Sequence, residues 1–210
     1  MITVLYSFVD SNSEDQYRSL FSILPGTMKI RAFNFRDLNS RLTFLAGKLL
    51  LMEGWRQLNL SHSLTDIMYN KYQKPYVYGS ANFNISHSYN CVVCAISKEC
   101  VVGVDVEYKL KINFRDFTHL WTINEMKLLN DSNDVSNQFY RIWTRKESII
   151  KADGRGLSIP LNEIDVVDNE VYLNEKKWYL KELHINNTFA AHLASDDHAN
   201  SDFTLARINF

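Results

Sequence analysis

Seven consecutive residues, Val101-Val102-Gly103-Val104-Asp105-Val106-Glu107, limit what this chain can fold into more than any other stretch. Valine at alternate positions makes a strand with one apolar face, and the period of two sends Gly103, Asp105 and Glu107 to the other face. Adjacent carboxylates repel unless a cation joins them, and Gly103 leaves room beside them for a ligand or for another backbone. The acidic face is therefore either an exposed polar surface or a site for a hard cation. Magnesium fits the second reading because it takes oxygen ligands, usually one or two carboxylates with waters and substrate phosphates.

A helical pattern from about Ser136 to Ala152 supplies a third carboxylate. At spacing i, i+4, i+8, Trp143, Glu147 and Lys151 share one face, with Lys146 beside them, while Phe139, Ile142 and Ile149 form a separate apolar stripe. The plain alternative is a surface Glu147–Lys151 pair worth a few tenths of a kcal/mol, about 0.3, with Trp143 in the core. Gly154, following Asp153, suits a left-handed helix cap. Another helix is expected to start near Asn124, placing Glu125 in its first turn.

Elsewhere, Leu38, Leu42, Leu45, Leu49 and Met52 recur at helical spacing from Asp37 to about Leu58. Strands are expected from Met1 to Tyr6, Cys91 to Ser97 and Val101 to Tyr108, then over Ile164–Val167, Lys177–Leu183, Phe189–Leu193 and Phe203–Ile208. Cys91 and Cys94 have metal-like spacing, but on a strand i and i+3 point to opposite faces, so both sulfurs cannot meet one ion. The segment Asn113 to Trp121 places aromatic side chains and Arg115 close in sequence to Glu107, as either core or a docking surface for a protein partner.

Residues are 22% charged with a net charge of −1, which lacks the basic excess of a nucleic-acid binder. No apolar run approaches the roughly 20 residues of a membrane span, and the start lacks the pattern of a signal peptide. The three cysteines then read as reduced thiols of a cytoplasmic protein.

Phe83-Asn84-Ile85-Ser86-His87-Ser88, Val102 to Glu107, Trp143-Thr144-Arg145-Lys146-Glu147-Ser148-Ile149-Ile150-Lys151 and Gly154-Arg155-Gly156-Leu157 together resemble the ordered signature of Sfp-type 4′-phosphopantetheinyl transferases. The resemblance implies an α+β pseudo-dimer of two similar lobes, each a helix on a small antiparallel sheet, divided as 1–99 and 100–210. It implies transfer of phosphopantetheine from coenzyme A to a serine of an apo acyl or peptidyl carrier protein, by a monomer with the site in its cleft. Asp105, Glu107 and Glu147 would hold magnesium, and Lys151 and Lys146 would face the coenzyme A diphosphate. Ser86 and His87 would bind phosphate, and Lys74 and Pro75 would flank adenine, with Gln73 where the family usually has glycine. Lys29 and Arg31, with Arg41, loosely match a basic N-terminal segment. Glu147, a metal-bound water or Glu125 would take the serine proton. A metal-dependent phosphohydrolase would use the same three carboxylates, whereas a coenzyme A- or carrier-binding module that had lost turnover would have no need to keep Asp105, Glu107, Glu147 and Lys151.

Overall fold

A computed structural model describes residues 1–10, 17–79, 81–198 and 202–210. The chain runs from β1 (Ile2–Phe8) to α1 (Gly26–Phe33) and the long α2 (Leu38–Gln57), which starts where the Asp37 side chain accepts from Ser40 N–H. A short ribbon of β2 (Met68–Tyr69) and β3 (Pro75–Tyr76) precedes β4 (Asn82–Ser88), β5 (Cys91–Ser97) and β6 (Val102–Tyr108). A 3-10 segment (Phe114–Leu120) leads to α3 (Ile123–Asn130) and α4 (Val135–Asp153), followed by β7 (Glu170–Leu173), β8 (Lys176–Glu182), β9 (Phe189–Ser195) and β10 (Phe203–Arg207). Gly154 stands at φ 89° and closes α4 as a left-handed cap, its N–H bonded to Ile150 O.

Two four-stranded sheets organise the fold, ordered β10-β1-β5-β4 and β6-β9-β8-β7. Each carries one long helix. Leu42, Leu45 and Leu50 of α2 pack with Leu5, Cys94 and Ile96 of the first sheet, and Ile142 and Ile149 of α4 pack with Trp178, Leu180 and Ala194 of the second. A third core joins the remaining sheet faces through Ile2, Val4, Cys91, Val93, Val102, Val104 and Val106. Cys91 and Cys94 thus lie in different cores, as strand alternation requires.

The mixed architecture agrees with the α+β expectation, with one departure from antiparallel order: β10 lies parallel to β1. The last strand therefore returns to the first sheet, across the proposed division at residues 99 and 100. Ile164–Val167, expected as a strand, is irregular. Ile164 and Val166 are buried, but their backbone is used otherwise: Ile164 O accepts from Lys146 and Val166 N–H donates to Glu125. Side-chain partners replace the ladder that a strand would need.

The sheets meet where edge strand β4 lies beside edge strand β6. Asn84 Oδ1 accepts from Val104 N–H at 2.8 Å, Ser86 Oγ from Val106 N–H at 3.4 Å, and Ser88 Oγ from Tyr108 N–H at 3.1 Å. Three short polar side chains, two residues apart, do for β6 what a neighbouring backbone would do. That is the structural reason for the Asn-x-Ser-x-Ser pattern, and it delivers Ser86 and Ser88 to the acidic face of β6.

Candidate active site

Gly103 fixes the geometry of the site. A methyl group there would stand 2.1 Å from Ser148 O and 2.4 Å from Ala152 N, so the backbone of α4 rests directly on β6. The room foreseen beside Asp105 is filled by another backbone, which brings the Glu147–Lys151 face of α4 to the carboxylates of β6.

Asp105 is 1% exposed. Its Oδ1 accepts from Ser86 Oγ at 2.9 Å and from Lys151 Nζ at 2.5 Å, while Lys151 Nζ also donates to Ser86 Oγ at 2.9 Å. Its Oδ2 is buried and has no hydrogen-bond partner among the described residues. One residue pair further along, Ser88 Oγ donates to Glu107 Oε2 at 2.7 Å. Glu107, Glu147 and Lys151 are half-buried, at the mouth of the cleft.

The electrostatics follow from this crowding. Burial pushes the Asp105 carboxyl above its ordinary value, against the pull of Lys151. Glu107 is raised by burial and by the charge of Asp105, and Glu147 by burial, Asp105 and Glu107. The three acids feel one another, and Lys151 is the cation between them. Among the described residues no three His, Cys, Asp or Glu side chains already stand in a metal-binding arrangement.

Two cavities flank these groups. One, of about 260 Å³, is lined by Gln73, Lys74, Pro75, Asn84, Glu147 and Lys151 among others. The other, of about 360 Å³, shares Gln73 and Pro75 and continues to Arg31, Phe44, Lys48, Tyr69 and His87. Arg31 Nη1 donates to Tyr69 Oη at 3.3 Å. Burial, and then Lys151, lower the His87 pKa. Gln73 holds φ 65°, the left-handed region in which glycine is unstrained, which explains the glycine expected from the resemblance.

Three expected site residues behave differently. Glu125 and Lys146 form an ion pair at 2.7 Å with both side chains 0% exposed. Lys146 Nζ also donates to Leu161 O and Ile164 O, while Glu125 accepts from Thr122 N–H and Val166 N–H. Both groups are held by each other and by these backbone atoms in the core around α3 and α4, away from the cleft that Glu147 and Lys151 line. Their expected roles are corrected to a structural pair. Lys29, on α1, does not line either cavity, whereas Arg31 lines the larger one. In the segment 113–121, Phe114, Phe117 and Leu120 pack on the second core while Arg115 is exposed.

Lys48 escaped the sequence reading. It is 8% exposed and stands 5.1 Å from the Phe44 ring centroid, with no hydrogen-bond or ion-pair partner among the described residues. Burial lowers its pKa. A lysine one residue before Leu49, inside the leucine-rich middle of α2, was the available signal, since a charge buried without a partner is costly.

The family described as the 4′-phosphopantetheinyl transferase superfamily matches residues 101–206. The chain is 32% identical over 180 residues to 4′-phosphopantetheinyl transferase gsp of Aneurinibacillus migulanus, covering 82% of this chain and 71% of that protein. It is 32% identical over 160 residues to 4′-phosphopantetheinyl transferase Sfp of Bacillus subtilis (strain 168), covering 74% and 70% respectively. The holo-[acyl-carrier-protein] synthase structure of Thermotoga maritima superposes with a TM-score of 0.37 at 18% identity, over 46% of this chain and 62% of that one.

Proposed function

The chain belongs to the 4′-phosphopantetheinyl transferase superfamily, and we propose that it transfers the phosphopantetheine arm of coenzyme A to a serine of an apo acyl or peptidyl carrier protein. The observation that carries the reading is the meeting of Asp105 and Glu107 on β6 with Glu147 and Lys151 on α4, at a cavity that shares Gln73 and Pro75 with a pocket holding Arg31, Lys48 and His87.

Asp105, Glu107 and Glu147 would hold magnesium. The fit rests on the buried, unpartnered Asp105 Oδ2 and on acids whose mutual repulsion a divalent cation would relieve. When bound, the ion supplies positive charge to the diphosphate of coenzyme A. The larger pocket, with Arg31, Lys48 and His87, takes the phosphorylated adenosine end, and the Gln73–Pro75 backbone flanks the base.

In the reaction the serine oxygen bonds to the phosphorus on the pantetheine side, and the bond from that phosphorus to the leaving 3′,5′-ADP oxygen breaks. Lys151 neutralises charge on the phosphate oxygens, held in place by Asp105 and Ser86. The serine proton leaves to Glu147 or to water in the cleft beside it. Arg115, exposed on the segment after β6, meets the carrier. Among the described residues no helix is long and apolar enough to cross a membrane. The transferase reading takes one chain, acting alone in the cytoplasm, as the working unit.

Incubation with coenzyme A, magnesium and an apo carrier protein, followed by intact-mass measurement, tests this. A phosphopantetheine gain on the carrier, with 3′,5′-ADP released only in its presence, is expected. Release without carrier would instead indicate a phosphohydrolase, and binding without mass gain a module lacking turnover.

A further inference from the structure

The catalytic face of α4 lies in its last two turns, where a helix leaves its final carbonyls without intrahelical donors. Here the donors come from the loop between β2 and β3. Lys74 Nζ donates to Ala152 O at 2.6 Å, and Asn70 Nδ2 donates to Gly154 O at 3.3 Å. Burial lowers the Lys74 pKa to about 8, with Asp153 opposing.

Asn70 also builds the loop that carries Lys74. Its Oδ1 accepts from Tyr72 N–H and from Lys74 N–H, both at 2.9 Å, while its own N–H donates to Lys74 O at 3.0 Å. One amide side chain therefore shapes the loop with its oxygen and grips the helix end with its nitrogen. Gln73 and Pro75, on the same loop, line both cavities of the cleft. Lys151 immediately precedes the gripped Ala152.

We propose that Asn70 and Lys74 are positioning residues for phosphopantetheine transfer, clamping the C-terminal end of α4 so that Lys151 and Glu147 keep their alignment with Asp105. The proposal rests on the transferase reading. It assigns the Lys74 ammonium to the helix and leaves Gln73 and Pro75 to line the nucleotide cavity. Filling the cleft against Gln73 and Pro75 then steadies the loop, and the loop steadies the catalytic helix.

Lys74→Met keeps the aliphatic stem and removes the donor; Asn70→Asp keeps the loop-forming oxygen and removes the grip on Gly154. Each variant should lower kcat on the order of tenfold while the coenzyme A Kd from calorimetry stays within about twofold, because alignment is lost and ground-state binding is not. Lys74→Arg, which retains a donor, should recover part of kcat. Hydrogen exchange at the Gly154 amide, bonded to Ile150 O at 2.9 Å, should quicken in both donor-less variants. Unchanged kcat per folded molecule in both variants overturns the proposal. So does a coenzyme A Kd that rises by the same factor as kcat/KM falls, which would make Lys74 a direct ligand. A wild-type protein that modifies no carrier sinks the transferase reading instead, and the Gly154 exchange rates then decide the clamp alone.

Discussion

Replacing Gly103 with alanine tests the seating of α4 on β6. The added carbon would lie 2.1 Å from Ser148 O, 2.4 Å from Ala152 N and 2.8 Å from Ala152 Cα, where ordinary contact begins at 3.4 Å. All three obstacles are backbone, so no side-chain rotation relieves them, and α4 must retreat by roughly 1 Å from a close-packed interface. Overpacking of this kind costs about 3 kcal/mol, at the upper end of its usual range, because a helix and not one side chain has to move. For a chain of this size that lowers Tm by roughly 6 to 12 °C. The same retreat draws Lys151 from Asp105, and a displacement near 1 Å at a reacting centre reduces kcat on the order of 100-fold. Urea unfolding and carrier mass gain measure the two effects. Gly26→Ala is the control, since nothing stands within 4 Å of its added carbon. Gly103→Ala within about 0.5 kcal/mol of wild type and fully active would refute the close seating of the helix.

Lys146→Met alone should destabilise by about 3 to 5 kcal/mol, since it leaves Glu125 buried and unpaired, whereas Glu125→Gln with Lys146→Met should lie much nearer neutral. Urea melts and the kcat of the folded fraction check this, and a large loss of kcat in the folded double variant would return the pair to the active site. The folded pKa values of Asp105, Glu107 and Glu147 are raised above ordinary values of 3.8, 4.5 and 4.5, so their contribution to stability is present below about pH 4 and is lost as pH rises through the folded values. The Tm gain on adding magnesium should therefore grow from pH 5 to pH 8, and a gain that is absent or independent of pH would remove the ion from these residues. Lys48→Met should raise the coenzyme A Kd about tenfold, with a smaller effect in high salt, because a phosphate contact in a pocket is charge-assisted. Unchanged calorimetric affinity at low salt would remove Lys48 from the site.

Local period determined much of this protein from sequence alone. Alternating valines placed Asp105 and Glu107 on one face of β6, helical spacing placed Glu147 with Lys151 on one face of α4, and the same arithmetic separated Cys91 from Cys94. These statements concern an element and its own faces, which a few consecutive residues fix. What stands opposite each face was decided only in three dimensions. Lys146 and Lys151 are five residues apart on one helix, yet one is locked against Glu125 in the core and the other meets Asp105 across the cleft. Lys48 is legible as a misplaced charge but not as a pocket residue, because the pocket is completed by Tyr69, Pro75 and His87. The Ile164–Val167 segment has strand-like composition, but a buried carboxylate and a buried ammonium claim its backbone first. The clamp joins Asn70 to a carbonyl 84 residues away. Such pairings depend on how two sheets and two helices close around one another, and no short window of sequence contains that information.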